Sequence, residues 1–236
     1  MSLYVGTSGY AYKPWKGPFY PADLADAGML RYYGERFGAV EINNTFYRMP
    51  KTVVVEGWRD EVPPGFRFVL KASQRITHYQ RLKDAGDTVG YLLRAAGVLG
   101  ERLGALLFQL PANLKKDVPR LREFLALLPE TQRAAFEFRH PSWFDDEVFG
   151  MMRDHQAALC IAEAEDDLEV PFVSTAEWGY LRLRLPGYAD AELAAWIERV
   201  RGEGWKDAFV FFKHEDEARG PVLATRFLQL AGGAPP

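Results

Sequence analysis

The chain alternates short runs rich in β-branched and aromatic residues with segments whose apolar residues recur at helical spacing. The runs LYVGT, AVEIN, FRFVLKA, GALLFQL, AAFEFR, ALCIAE, YLRLRL and AFVFFK predict eight strands. Between them, apolar positions such as Leu121, Phe124 and Leu128 fall on one face of a helix. Eight strands separated by helices predict an α/β fold of the TIM-type (β/α)8 barrel class.

Boundary residues agree with this division of the chain. Asp117 is placed to cap a helix that contains Pro119, and Gly202 and Gly204 are placed to end the helix that includes IERV. The segment after the sixth strand, AEDDLEVPFVSTAEW, is acidic, contains Pro171 and has no helical period. We therefore expect an irregular or shortened crossover after the sixth strand.

Length and composition favour one barrel domain over residues 1–236, because 236 residues with 48% hydrophobic content can bury a large core. The formal net charge of −3 gives no general attraction to nucleic acid or to an anionic membrane, so a basic site must be local. Cys160 lies alone in an apolar run, which predicts a buried free thiol. With no leader pattern and no apolar run near the ~20 residues that span a bilayer, we expect a soluble cytoplasmic protein.

Polar side chains lie where the predicted strands end. Glu41 and Asn43 have the same parity on the second strand, so both should point into the barrel. The same test assigns to the interior Lys71, Gln109, Glu137, Arg139, Glu163, Arg182, Arg184, Lys213 and His214. Buried charges are costly unless paired, so this ring either satisfies itself or holds a ligand. Since barrel enzymes work at the carboxyl ends of their strands, we predict a site there.

Five motifs resemble, in order, those of the YecE-like family, whose function is unknown: GTSGYAYKPWKGPFYP, VEINNTFYRMP, FVLKASQRITH, LLFQLPANL and FEFRHPSW. The resemblance runs from about Val5 to near Phe227 and implies a TIM-type barrel without an established reaction. The matching positions are Thr7, Ser8, Gly9, Tyr10, Trp15, Glu41, Asn43, Tyr47, Lys71, Thr77, His78, Gln109, Glu137, Arg139, His140, Trp143 and Arg182. The chain departs from the family at RLRLPGY and FFKHED, where many members have a histidine and an asparagine.

The residue types at the strand ends suggest catalytic roles. The candidates are Glu41, Glu137, Lys71, His78 and His140. A buried glutamate can act as general acid or base, because burial raises its pKa while a nearby cation lowers it. The two glutamates are expected to hold the pKa of Lys71 up, which favours an ion pair over a nucleophilic amine. The structural alternative is a salt-bridged plug that only fills the barrel.

A second set of residues suggests substrate binding. Its members are Thr7, Ser8, Tyr10, Trp15, Asn43, Tyr47, Gln109, Arg139, Trp143, Arg182, Arg184 and Lys213. Arginine suits an anion with several oxygens, and many barrels bind phosphate at the seventh and eighth strands, where Arg182, Arg184 and Lys213 lie. The alternatives are that these cations neutralise the glutamates and that the aromatic rings cover the barrel.

A metal site would draw on His78, His140 and His214, with Glu41, Glu137 and Glu163 as oxygen donors. No short ligand spacing such as HExxH is present, so we expect no metal and no cofactor.

Three functions stay open on the sequence. The first is an enzyme, a hydrolase or a lyase or isomerase, that uses carboxylate acid/base chemistry on a small phosphorylated or otherwise anionic substrate. The second is a nucleic-acid-binding or endonuclease-four-like barrel, and the third is a non-catalytic ligand-binding barrel. The expected partner is a small anionic ligand or nucleic acid and not a membrane. The substrate and the oligomeric state stay open.

Overall fold

Eight parallel strands form a closed barrel in chain order in the computed structural model, which describes residues 1–163, 168–213 and 216–232. The strands are β1 (Ser2–Ser8), β2 (Ala39–Ile42), β3 (Arg67–Lys71), β4 (Leu103–Gln109), β5 (Ala134–Glu137), β6 (Ala158–Glu163), β7 (Trp178–Leu183) and β8 (Asp207–Phe212). β1 pairs in parallel with both β2 and β8, which closes the barrel. The prediction of a TIM-type barrel is confirmed.

One helix follows each strand except β6 in the described part of the chain. The helices are α1 (Met29–Gly34), α2 (Thr52–Glu61), α3 (Gly86–Gly97), α4 (Val118–Leu125), α5 (Asp146–Asp154), α6 (Asp190–Gly202) and α7 (Arg219–Leu230). Between β6 and β7, residues 168–177 form neither helix nor strand, as the sequence predicted for this crossover. Within the described ranges, no helix is long and apolar enough to cross a membrane.

The helix boundaries follow from local side-chain chemistry. Asp117 caps α4, since its Oδ1 accepts a hydrogen bond from the Arg120 backbone N–H at 3.1 Å. α6 ends at Gly202, and Gly204 follows with a φ of 71°, a left-handed conformation that glycine adopts without strain. Both predicted boundaries are confirmed.

The barrel interior is filled unevenly. β5 and β6 contribute small buried side chains, which are Ala135, Ala158, Cys160 and Ala162. β7 and β8 contribute large ones, which are Trp178, Tyr180, Phe209 and Phe211. The small and the large side chains lie on neighbouring pairs of strands and together fill the interior as a packed core. Cys160 is buried and free, as predicted, and burial raises the pKa of its thiol.

Helix α1 is anchored where β1 and β2 approach each other most closely. The Tyr33 hydroxyl accepts a hydrogen bond from the Thr7 backbone N–H at 2.7 Å and donates one to the Ala39 carbonyl at 3.0 Å. A Cβ at Gly6 would lie 1.8 Å from the Ala39 carbonyl oxygen and 2.7 Å from the Tyr33 hydroxyl. Only glycine fits this contact without movement of the backbone.

We therefore expect Gly6→Ala to lower the free energy of unfolding by about 3 kcal/mol, because the new methyl group overpacks the contact between β1, β2 and α1. Denaturant unfolding measures this change. Gly57→Ala is the matched control: a Cβ there has nothing within 4 Å and lies in α2, so it should be neutral or stabilising by up to about 1 kcal/mol. Equal stability of Gly6→Ala and wild type would contradict the close approach.

Candidate functional site

Glu41 lies at the centre of a hydrogen-bonded cluster inside the barrel. Its Oε1 accepts from Ser8 Oγ at 2.7 Å, from Asn43 Nδ2 at 3.1 Å and from Arg182 Nη2 at 2.8 Å, while its Oε2 accepts from the Tyr180 hydroxyl at 2.5 Å. Burial acts to raise the pKa of Glu41, but Arg182, Tyr180 and Ser8 together hold it below its usual value. Glu41 is therefore a carboxylate at neutral pH.

Arg182, on β7, joins two buried carboxylates. Its Nη1 donates to Glu137 Oε2 at 2.5 Å and its Nη2 donates to Glu41 Oε1 at 2.8 Å. Only 3% of the Arg182 side chain is exposed, and its Nε is buried without a hydrogen-bond partner among the described residues. Both terminal nitrogens are occupied by carboxylates, so Arg182 acts as an internal counter-ion, the structural alternative that the sequence left open.

Glu137 also contacts two further arginines, Arg139 and Arg184. Arg139 Nε and Nη2 each lie 3.0 Å from Glu137 Oε1, and Arg184 Nη2 lies 3.4 Å from the same oxygen. Burial alone would raise the pKa of Glu137, but Arg182, Arg184 and Arg139 hold it well below its usual range. The Arg139 and Arg184 side chains are 33% and 13% exposed, so part of each lies open to a ligand.

Lys71, at the end of β3, donates to an amide instead of a carboxylate. Its Nζ lies 2.8 Å from Gln109 Oε1 and 4.3 Å from the centroid of the Phe46 ring. Burial, followed by Arg182 and Arg139, lowers the pKa of Lys71 to about 8 against the opposing effect of the glutamates. The prediction that the glutamates would hold the Lys71 pKa up in an ion pair is wrong, because burial and the arginines outweigh them and the arginines pair with the carboxylate oxygens.

The cluster carries more positive than negative charge. Two carboxylates, Glu41 and Glu137, face four cationic side chains, which are Arg139, Arg182, Arg184 and Lys71. Among these described residues, protonated Lys71 leaves an excess of two positive charges. Lys213 is exposed just beyond β8, and its backbone N–H donates to the Leu183 carbonyl at 3.3 Å. His214, assigned to the same end of the barrel by the sequence, lies outside the described residues.

His78 lies beside Lys71 on a single π-helical turn, Arg75–Tyr79. Its ring centroid is 5.0 Å from that of Phe46, the ring that Lys71 also contacts, and its Nδ1 is 2.9 Å from Thr77 Oγ1. Burial lowers the pKa of His78, and Lys71 and Arg139 lower it further. His78 is therefore a neutral imidazole at pH 7. The described ranges contain no group of three or more His, Cys, Asp or Glu placed to hold a metal.

Several residues assigned to substrate binding serve the fold instead. Trp15 and Trp143 are 1% and 0% exposed, so neither ring is open to a ligand, and Trp143 Nε1 donates to the Leu114 carbonyl at 2.7 Å. Tyr10 packs against the Tyr33 ring at 6.2 Å between centroids, and burial raises its pKa to about 12. For both tryptophans the burial supports the alternative, that the aromatic rings cover the barrel.

Two polar residues point to the outer side of the barrel, in contrast to their assignment. Thr7 Oγ1 lies 2.9 Å from the Tyr33 hydroxyl of α1, whereas its neighbour Ser8 points inward. Glu163 Oε2 accepts from Trp196 Nε1 of α6 at 3.0 Å. β6 continues through Glu163, so alternation with the inward Ala162 turns the glutamate outward.

Two further candidate site residues, His140 and Tyr47, lie in loops. His140 Nδ1 accepts from the Ser142 backbone N–H at 3.1 Å and so caps a short turn. Tyr47 is 72% exposed and its ring meets that of Phe46 at 5.1 Å between centroids. One contributor was missed: Tyr180 has the same parity as Arg182 on β7, a signal that the sequence contains.

The carboxyl ends of the strands form the mouth of the barrel, and the buried arginine–glutamate cluster lies there. These features define a TIM-type (β/α)8 barrel protein with a polar mouth. The chain belongs to the family described as "Protein of unknown function DUF72", which matches residues 4–235. Its resemblance to YecE-like proteins is thereby confirmed.

Relatives of the chain carry the same kind of name. UPF0759 protein YecE of Escherichia coli (strain K12) is 36% identical over 143 residues, which cover 60% of this chain and 50% of YecE, so the match spans about half the length of that relative. UPF0759 protein YunF of Bacillus subtilis (strain 168) is 29% identical over 91% of this chain and 79% of YunF. Neither name states an activity.

Solved structures agree on the fold. A DUF72 family protein from Thermotoga maritima superposes with a TM-score of 0.87 at 26% identity, over 98% of this chain and 100% of that one. A DUF72 family protein from Enterococcus faecalis gives a TM-score of 0.81 at 19% identity, over 98% of this chain and 96% of that one, which supports the fold alone.

We expect Glu137→Gln to lower the free energy of unfolding at pH 7 by about 3 kcal/mol or more, because it removes a buried carboxylate from arginines that stay charged. Denaturant unfolding measures the change. Glu123→Gln, on the exposed side of α4, is the matched control and should stay within about 0.5 kcal/mol of wild type. An unchanged midpoint and slope for Glu137→Gln would show that this carboxylate contributes nothing.

The stability gap between wild type and Glu137→Gln should depend on pH. The folded-state pKa of Glu137 lies below its unfolded value of about 4.3, so the contribution is complete above that pH and is lost as pH falls toward the folded pKa. Unfolding measured in steps from about pH 8 to about pH 3 should give a constant gap that narrows only in acid. A gap that widens in acid would contradict this assignment.

Proposed function

We propose that the barrel mouth binds a small anionic substrate, such as a phosphorylated or carboxylated metabolite, and that the protein is an enzyme acting on it. The observation that supports this most is the excess of cations over carboxylates around Glu41 and Glu137. Like charges brought together inside a protein repel each other, and a bound anion relieves that repulsion.

Arg139 and Arg184 are the residues we assign to the anion. Each keeps part of its side chain exposed while it contacts Glu137, and a guanidinium group suits an anion with several oxygens. Lys213 is exposed beyond β8 and extends the basic surface on that side. Arg182 supports the site indirectly, since it holds both carboxylates in place.

Proton transfer in this site falls to Lys71 and His78 and not to the glutamates. Glu41 and Glu137 are both buried, ionised and engaged by cations, so they cannot donate a proton at neutral pH and are poor bases. Lys71 titrates at about 8, and His78 is neutral with a lowered pKa. Groups that titrate near the working pH are the most effective acid/base catalysts.

A nucleic-acid-binding barrel is the second candidate function. Tyr47 and Tyr79 are each 72% exposed and adjoin Phe46 and His78, and exposed rings can stack on bases. The net charge of −3 weighs against it, because polyanion binding draws on a broad basic surface.

Inorganic phosphate should raise the melting temperature of the wild type in a saturable way, since a ligand that binds only the folded state stabilises it by RT ln(1 + [L]/Kd). Chloride at matched ionic strength should do much less. The response should be lost in an Arg139→Gln, Arg184→Gln double variant. Arg133→Gln is the matched control, because Arg133 pairs with Asp207 at the opposite end of the barrel, and it should respond as wild type does.

Identical responses of wild type and the double variant to phosphate and to chloride would leave the arginines as internal counter-ions only. A short single-stranded oligonucleotide that stabilises the protein far more than phosphate would favour the second candidate function instead. Differential scanning fluorimetry gives both readings from the same samples.

A further inference from the structure

We infer that Lys71 is a nucleophilic amine that forms an imine with an anionic carbonyl compound, such as a phosphorylated aldehyde. This inference rests on the proposed function, since the neighbouring cations would hold the anionic group, and it deepens that proposal by naming the substrate class and a covalent step. The argument starts from the contacts of the Lys71 amine.

The Lys71 amine lies between an amide and an aromatic ring. Its Nζ donates to Gln109 Oε1 at 2.8 Å and lies 4.3 Å from the centroid of Phe46. Lysines that serve as structural cations in this chain contact carboxylates, as Lys116 does with Asp145 at 3.0 Å. A neutral amide oxygen holds an ammonium proton less strongly than a carboxylate does, so Lys71 can lose its proton more readily.

Charged groups on three other strands also act on Lys71. Glu41 of β2 and Glu137 of β5 favour its ammonium form, whereas burial, Arg182 of β7 and Arg139 after β5 oppose it. The opposing set prevails, because the arginines offset the two carboxylates. With a pKa of about 8, roughly a tenth of Lys71 carries a free amine at pH 7. A lysine desolvated beside other cations is an activated nucleophile.

The reaction balances without a redox partner. The Lys71 nitrogen lone pair forms a bond to the carbonyl carbon, and the carbonyl oxygen leaves as water with the two hydrogens of the amine. The imine then takes up a proton and becomes an iminium, which withdraws electrons from the adjacent carbon. His78, a neutral base that shares the Phe46 contact with Lys71, is placed to carry protons between the intermediate and solvent.

The position of the cations defines which carbonyl compounds fit. Lys71, Gln109 and Glu137 belong to three consecutive strands, β3, β4 and β5, and Arg139 follows two residues after Glu137. An anionic group held by Arg139 and Arg184 would place a short substrate over this side of the mouth, next to the Lys71 amine. A neutral carbonyl compound lacks that attachment and should react more slowly.

Borohydride trapping tests the imine directly. The protein is incubated with glyceraldehyde 3-phosphate, or with glyceraldehyde as the neutral counterpart, then reduced with sodium borohydride and mapped by peptide mass spectrometry. We expect the adduct mainly on Lys71, formed at least about tenfold faster with the phosphorylated aldehyde and slowed by inorganic phosphate. The rate of labelling of Lys71 should rise with pH around a midpoint near 8.

Two variants complete the design. Lys71→Arg keeps the charge but removes the amine, so the adduct should disappear while the phosphate-induced rise in melting temperature remains. Lys83→Arg removes an exposed lysine from the segment that follows β3 and should leave the Lys71 adduct unchanged. If Lys71→Arg does not fold, the site mapping and pH profile of the unaltered protein still decide the question.

The outcomes separate this inference from the proposed function. Label spread over exposed lysines with Lys71 unmarked would overturn the imine, and a persisting phosphate stabilisation would then leave the anion site standing. If neither the adduct nor the phosphate stabilisation is observed, both proposals are rejected. A Lys71 adduct that forms equally fast with both aldehydes would overturn the anionic substrate class.

Discussion

The contact of Arg182 with two buried carboxylates is the interaction on which the rest of the mouth depends. One guanidinium joins Glu41 of β2 to Glu137 of β5 from its own place on β7, so three separated strands share one charged group. Such a pair is tolerated inside a protein only if its members stay matched, because an orphaned charge there costs several kcal/mol. The cluster therefore fixes the ionisation of both glutamates.

This constraint decides which side chains of the cluster carry a fixed charge. Because the carboxylate oxygens are taken up by arginines and by the Tyr180 hydroxyl, Lys71 is left with an amide partner. Burial, together with the arginines, lowers its pKa. The sequence predicts Glu41 and Glu137 as catalytic candidates. In the structure both are fixed negative charges, because their pKa values are held below the usual range. Of their neighbours, Lys71 has a pKa lowered to about 8, and burial lowers the pKa of His78 below its usual value.

The sequence was sufficient to predict the barrel and most of the inward polar residues. Side chains alternate with a period of two along a strand, and this alternation places Glu41, Glu137 and Arg182 in the interior, where they are buried. It failed where the end of a strand mattered: β6 extends through Glu163 and turns that residue outward. It also failed for Lys71, because choosing between several cations for the same carboxylates requires their positions in space. No periodicity contains that information.

The uneven filling of the barrel connects the core to the site. The large rings of Tyr180 on β7 and Phe211 on β8 pack against each other at 5.5 Å between centroids, and Tyr180 also donates to Glu41. On the neighbouring strand β6, the inward positions paired with Tyr180 and Arg182 carry only Cys160 and Ala162. Both rings are fully buried, so this part of the interior excludes water from the cluster. The residues that fill the core therefore also hold the charged cluster, since Tyr180 belongs to both.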